Sequence, residues 1–265
     1  MERMSLEKVL RDDERAIMGK VLAEEEARRT HLVVYLSGAH AYGFPSPDSD
    51  LDLKAIHVAR TEDLLGFEVP VATAERVETI DGVEIDYTSN EIAPILMGIL
   101  QGNGNFLERI LGRLVPYESP LLGELRPIVR RSLSRRVHRH YRGFAHNQLR
   151  FLEKDPTAKK LLYVLRTALT GIHLLERGEL ETDLTRLMGS YGLEDAARLV
   201  ERKRAGERVG LEADAIDAWR PRVALLFTRL DQAREASPLP EEPTNGGELL
   251  AWLLDLRRAR LQVVC

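Results

Sequence analysis

Hydrophobic and polar positions change period several times along the chain, and each change predicts an element. Residues 5 to 28 place Leu6, Val9, Leu10, Ile17, Val21 and Leu22 at helical spacing among charges, which predicts an amphipathic helix. Val33 to Leu36 is a short apolar run with β-branched residues and a tyrosine, the pattern of a buried strand. The run breaks at Ser37-Gly38, crosses a turn-rich segment with Gly43, Pro45, Pro47 and Asp48, and resumes as an alternating strand over 50–59. Alternation puts Asp50 and Asp52 on one face of that strand and Leu51 and Leu53 on the other. Thr61 is positioned to cap a short helical turn ending at Gly66, and 67–80 reads as a strand or hairpin arm. Asp81-Gly82 turns the chain into VEIDYT, where Glu84 and Asp86 face away from Val83, Ile85 and Tyr87. Ser89 or Asn90 then caps a helix through Gln101. Strands of this kind with helices on one side make a small mixed sheet, an α/β (α+β) fold.

From Tyr117 onward the period is almost wholly helical. Before it, 101–111 opens on a loop at Gly102 and Gly104 and starts a helix. Asp155-Pro156 reads as the N-cap and first residue of a helix that Gly178 ends. That helix has an apolar stripe of Leu161, Leu162, Leu165, Leu169, Ile172 and Leu175, and a polar face of Lys159, Lys160, Tyr163, Arg166 and Thr170. Further helices are expected over 192–205 and 211–235, then a Pro- and Gly-rich linker at 237–247. Thr244 or Asn245 caps a last helix, Glu248 to Leu261. Its Leu249, Trp252, Leu253 and Leu256 form a docking face, onto the body of the protein or onto a partner.

Composition leaves this picture in place. With 44% hydrophobic and 30% charged residues, the chain is neither disordered nor membrane-embedded in character. Its 265 residues suffice for two domains or one large one. The N-terminus is too acidic for a signal peptide, no apolar stretch is long enough to span a membrane, and the single cysteine, Cys265, has no internal partner. These features point to the cytoplasm and away from membranes. The net charge of −4 does not favour nucleic acid, but its distribution is uneven. Arg126 to Arg150 contains no acid, while His138, His140, His146 and Tyr141 interleave arginines that include Arg135, Arg136, Arg139 and Arg142. Such a block can grip phosphates and stack bases, or can be a helix face paired with acids elsewhere.

The sharpest chemistry lies in the alternating strand. Two carboxylates side by side repel unless a positive charge sits between them, and a hard divalent cation shared with substrate phosphates is the usual one. Strand, glycine-containing turn and Asp-x-Asp on the next strand resembles the nucleotidyltransferases of the DNA polymerase β superfamily. Their pattern is Gly-Ser, a short spacer, then Asp-x-Asp. Gly38 stands at the glycine and Asp50 and Asp52 at the metal pair. Ala39 stands where the superfamily has a phosphate-holding serine, with Ser37 on the other side of the glycine. Asn103, Asn105 and Glu108 are similar to a Gly-Asn-x-Asn-x-x-Glu segment of one branch, bacterial nucleotidyltransferases encoded near RNA ligases. The resemblance covers most of residues 33 to 205.

What the resemblance implies is specific. A polymerase-β-type catalytic domain over 1–116 is followed by an all-α domain over 117–265 that lines a cleft for nucleotide and acceptor. Asp50 and Asp52 hold Mg²⁺ (or Mn²⁺). Asp86, on a neighbouring strand, completes the metal site and helps deprotonate the acceptor, with Glu84 as its substitute if the register slips. Ser37, Gly38, Ala39, Ser49, Lys160, Tyr163 and Arg166 bind the nucleotide, and Arg135, Arg136, Arg139 and Arg142 bind RNA or phosphate. Lys203 falls in a Lys-x-x-Gly-Glu stretch that is also similar to the family. The implied activity is Mg-dependent, template-independent transfer of NMP from an NTP to an acceptor hydroxyl. A tRNA-like RNA 3′ end is the leading acceptor, with a functional link to an RNA ligase. The alternatives are antitoxin-like nucleotidylation of a protein and a non-catalytic RNA- or nucleotide-binding module.

Overall fold

The computed structural model describes residues 4–68, 70–206 and 210–261, so the expectations attached to Cys265 and to the glutamate of the Lys-x-x-Gly-Glu stretch lie outside the described residues. In chain order the first elements are α1 (Asp12–Glu26), β1 (Thr30–Leu36), α2 (Gly38–Tyr42), β2 (Leu51–Val58), α3 (Thr61–Leu65), β3 (Thr73–Ile80) and β4 (Val83–Glu91). Then come α4 (Ile92–Leu100), α5 (Gly104–Leu111), β5 (Tyr117–Glu118), α6 (Pro120–Arg131), α7 (Val137–Lys154) and α8 (Ala158–Arg177). The last are α9 (Leu184–Leu187), α10 (Ala197–Arg204), α11 (Ala213–Glu235) and α12 (Gly246–Ala259).

Two compact units form, and neither is continuous in sequence. The sheet unit comprises the described parts of Met1–Ser37, Asp50–Ser132 and Pro243–Cys265, and the helical unit comprises those of Gly38–Ser49 and Leu133–Glu242. Neither unit is bounded at residue 116.

In the sheet unit five strands run in the order β3-β4-β2-β1-β5. β2 pairs with β4 in parallel, whereas the β1–β2, β1–β5 and β3–β4 ladders are antiparallel, so the sheet is mixed as expected. Asp81 (φ 49°) and Gly82 (φ 84°) both adopt positive φ, the backbone that a two-residue hairpin needs between right-twisted strands. Alternation governs burial. Leu51, Leu53 and Ala55 of β2, with Ile85, Tyr87 and Ser89 of β4, are buried, while Asp52, Lys54, Asp86 and Thr88 face the other way and are half-buried. Helices α4, α5 and α6 pack on the strands, and α12 packs on α4 and α6.

Several local expectations are corrected. The first helix is interrupted: a single 3₁₀ turn at Leu6–Lys8 precedes α1, and the backbone N–H of Arg11 donates to Glu14 Oε2 (2.8 Å) to open the new helix. The segment after Ser37 holds a one-turn helix, α2, rather than turns alone. Ser89 and Asn90 stay in β4 because they pair with Ala55 and Ile56, and Glu91 caps α4 instead, accepting from the N–H of Ala93 (2.7 Å). Tyr117-Glu118 is a short strand on β1, not the start of a helix. Asp155 closes α7, and Thr157 caps α8 by accepting from Lys160 N (3.3 Å).

In the helical unit α7, α9, α10 and α11 pack around α8. That explains why α8 is buried nearly all round, Arg166, Thr167 and Thr170 included, instead of presenting a polar face. Gly178 ends it in the left-handed conformation, φ 69°, as the sequence led one to expect. No helix of the described residues is long and apolar enough to cross a membrane.

Candidate active site

The parallel β2–β4 ladder sets Asp52 directly opposite Asp86 and Lys54 opposite Thr88. Register partners in a parallel pair project to the same face, so the two carboxylates are brought together by the backbone itself. Their side chains keep 26% and 42% exposure. Lys54, two residues beyond Asp52, extends along the same face with its Nζ 2.7 Å from Asp86 and 3.7 Å from Asp52. Its Nζ is also 3.5 Å from Thr88 Oγ1. The main chain of Asp52 is anchored as well, since its carbonyl accepts from the N–H of Ser37 (2.8 Å).

Asp50 immediately precedes β2 and is half-buried, like Asp52 and Lys54 and unlike the buried Leu51 and Leu53. Among the described residues no group of three or more His, Cys, Asp or Glu side chains is gathered as a metal centre. What the strands assemble is the pair Asp52 and Asp86. Glu84 shares their face and is exposed. The donors are hard oxygens only, which suits Mg²⁺ or Mn²⁺, and the ammonium of Lys54 stands where such an ion would meet both carboxylates.

Arg109 joins this neighbourhood from α5. Asn103, expected as part of a loop signature, caps that helix by accepting from Asn105 N (3.1 Å). Arg109 Nη1 donates to the carbonyl of Ala55 (2.9 Å) and to Asn90 Oδ1 (2.5 Å), tying α5 across β2 and β4. Burial pushes its pKa down to about 10, with the negative charge of Asp86 acting in the opposite sense. It therefore remains a cation at neutral pH. Lys54 and Arg109 were not anticipated. Lys54 could have been, because its two-residue spacing from Asp52 fixes its face; nothing in the local pattern around Arg109 marks it.

Other expected site residues lie in the helical unit. Gly38 opens α2 at φ 63°, and Ala39 is buried there. Arg166 is 2% exposed, with its guanidinium 3.5 Å from the ring centroid of Tyr42. Tyr163 meets Tyr42 and Phe44 edge-on at 5.6 and 5.7 Å. Both residues thus hold the 38–44 segment. Lys160 pairs with Asp155. Ser49 is buried with Ser46, and the fully buried Lys203 donates to both hydroxyls, at 3.1 Å to Ser49. A cavity of 260 Å³, lined in part by Leu149, Leu152, Trp219 and Phe227, contains none of the expected residues.

The arginine block is largely engaged within the fold. Arg135 donates to the carbonyls of Leu239 (2.9 Å) and Ser237 (2.7 Å), Arg136 pairs with Glu242 (2.6 Å), and Arg142 and His138 converge on Asp231 at 2.7 and 2.8 Å. The acids missing from the block are supplied from elsewhere: Asp231 and Glu242 for these residues, Glu248 for Arg131 and Glu118 for Arg126. Arg139 is exposed.

A mixed sheet that carries paired carboxylates on adjacent parallel strands, preceded by a strand–glycine–helix turn, is the frame of a polymerase-β-type domain. Sequence comparison makes the assignment specific. The chain matches the RNA repair pathway DNA polymerase beta family (RlaP) over residues 15–255, and it belongs to that family. It is similar to the uncharacterized protein MJ0002 of Methanocaldococcus jannaschii, 27% identical over 228 residues, which are 83% of this chain and 91% of that one. It is also similar to the uncharacterized protein YcgL of Bacillus subtilis, 30% identical over 187 residues, 67% of this chain and 71% of that one. A solved nucleotidyltransferase-like protein from Exiguobacterium sibiricum overlays 94% of this chain and 81% of its own at 12% identity and a TM-score of 0.33, too distant to bear on the fold.

Proposed function

We propose that this protein is a nucleotidyltransferase that moves a nucleoside monophosphate from an NTP to an acceptor hydroxyl, with an RNA end as the acceptor. The observation that carries the reading is the register of β2 on β4, which sets Asp52 and Asp86 side by side on a half-open face. The family's description, an RNA repair pathway, supports the choice of acceptor.

In this reading Asp52 and Asp86, with Asp50 ahead of the strand, hold Mg²⁺ or Mn²⁺. A bound ion would supply charge neutralisation on the triphosphate and on the attacking oxygen. The protein's own share is positioning. The acceptor oxygen forms a bond to the α-phosphorus as the bond to pyrophosphate breaks, and Asp86, the more exposed carboxylate, takes the hydroxyl proton. The buried Arg109 cation fixes the two strands that carry the acids and adds positive potential at the face where phosphate charge accumulates.

The test is label transfer from each α-³²P-NTP with Mg²⁺ and total small RNA, using the native protein and D52N and D86N variants. Label in RNA with the native protein, lost by about 10³-fold or more in both variants, is the expected result. Label on polypeptide instead would move the acceptor to a protein. No label on RNA or protein, under conditions where Mg-NTP binds, would refute transferase activity.

A further inference from the structure

Lys54 has a consequence for the carboxylate pair that follows from charge alone. Its side chain is 20% exposed and runs along the strand face to lie 2.7 Å from Asp86 and 3.7 Å from Asp52. Two neighbouring carboxylates on a half-buried face cannot both stay ionised cheaply without a counter-charge. One ammonium neutralises one of the two charges. A divalent cation would neutralise both, and it needs the same oxygens.

We infer that Lys54 is the internal counter-cation of this site, a positioning residue that keeps Asp52 and Asp86 aligned and that a divalent cation must displace in order to bind. This rests on the reading that the two carboxylates form the metal site. The ammonium cannot diffuse away, because its stem is anchored in β2, so displacement is reversible and the site resets when the ion leaves. Lys54 thereby sets the affinity for free divalent cations: weak with the lysine in place, stronger without it. A lysine serving only to pack β2 against β4 would not have that effect.

The experiment is Mn²⁺ titration of the full chain, followed by electron paramagnetic resonance, for the native protein and the K54M, K54Q, D52N and D52N/K54M variants. The expected result is Mn²⁺ binding about tenfold tighter or more in K54M and K54Q, with the gain lost in D52N/K54M. In parallel, Mn²⁺ should raise the melting temperature of K54M or K54Q more than that of the native chain. The glutamine variant keeps the test open if the methionine variant does not fold. Equal affinity in native, K54M and K54Q proteins, weakened by D52N, would overturn the role of Lys54 while leaving the metal site standing. Binding indifferent to D52N in every variant would overturn the metal site and the inference together.

Discussion

His31 shows how far a single buried group can couple this fold to pH. It is 2% exposed, with Nε2 2.7 Å from Tyr87 Oη and Nδ1 without a hydrogen-bond partner among the described residues. Arg29 donates to the same phenol (3.1 Å) and pairs with the buried Glu25. Burial first, and then the charge of Arg29, push the His31 pKa down to about 4 from an ordinary 6.5. The unfolded chain therefore takes up this proton before the folded one does. Stability should fall as pH drops from 6.5 toward 4, by at most ~1.4 kcal/mol per pH unit for this group, and level off below. Half-buried His140, whose pKa desolvation also pushes down to about 4, adds its own share in the same direction. H31N should flatten the profile between pH 6.5 and 5 in urea denaturation; native and variant curves that stay parallel would refute the assignment. At this scale the sequence was informative where alternation rules. Asp52, Asp86, Leu51, Leu53, Ile85 and Tyr87 face as expected. It was silent where partners are remote: that Arg142 meets Asp231, or Arg135 the carbonyl of Leu239, has no local signature.

Between elements, Glu91 ties α4, the end of β2 and α12 together in the sheet unit. One oxygen caps α4 through Ala93 N (2.7 Å), and the other pairs with Arg257 of α12 and lies 3.4 Å from Ala59 N. Arg257 also donates to the Ala59 carbonyl (3.2 Å), and both side chains are largely buried. Removing one partner leaves a buried charge unmatched as well as a lost cap. E91A should cost about 2–4 kcal/mol, measured by denaturant unfolding. R257A should cost a similar amount, and the double variant clearly less than the sum of the two. Strict additivity would mean that the pair is incidental. Element identity was legible for most of the chain because the apolar periods are long. Element ends were less so: β4 runs past Ser89 and Asn90 since β2 offers ladder partners, and β5 is too short to carry a pattern. Thr157 and Asp155 both look like caps, and only the backbone decides between them.

At the level of the whole molecule, the sheet unit is closed by a segment that the chain supplies last. The apolar spacing of α12 announced a docking helix, but not its target. Leu249 and Leu256 are buried, α12 packs on α4 and α6, Glu248 pairs with Arg131, and Thr61 Oγ1 donates to the Arg257 carbonyl (3.0 Å). The linker is divided. Ser237 and Leu239 are held by Arg135 within the helical unit, while Asn245 Nδ2 donates to the Ile128 carbonyl (3.0 Å) in the sheet unit. Two buried leucines are worth roughly 1.5–3 kcal/mol each, and the Glu91–Arg257 pair adds to the cost of breaking the contact. That total is comparable to the whole stability of an ordinary domain, about 5–15 kcal/mol. A chain ending at Glu242 should therefore lose cooperative folding of the sheet unit, not merely one helix. Circular dichroism should show a strand and helix loss well beyond the 14 residues of α12, and hydrogen exchange should show β2 and β4 exposed while α8 stays protected. A peptide spanning 243–265, added in trans, should restore protection to the strands. If the shortened chain instead keeps β2 and β4 protected, α12 is an accessory to the sheet unit, and the carboxylate pair is held in register by the strands alone.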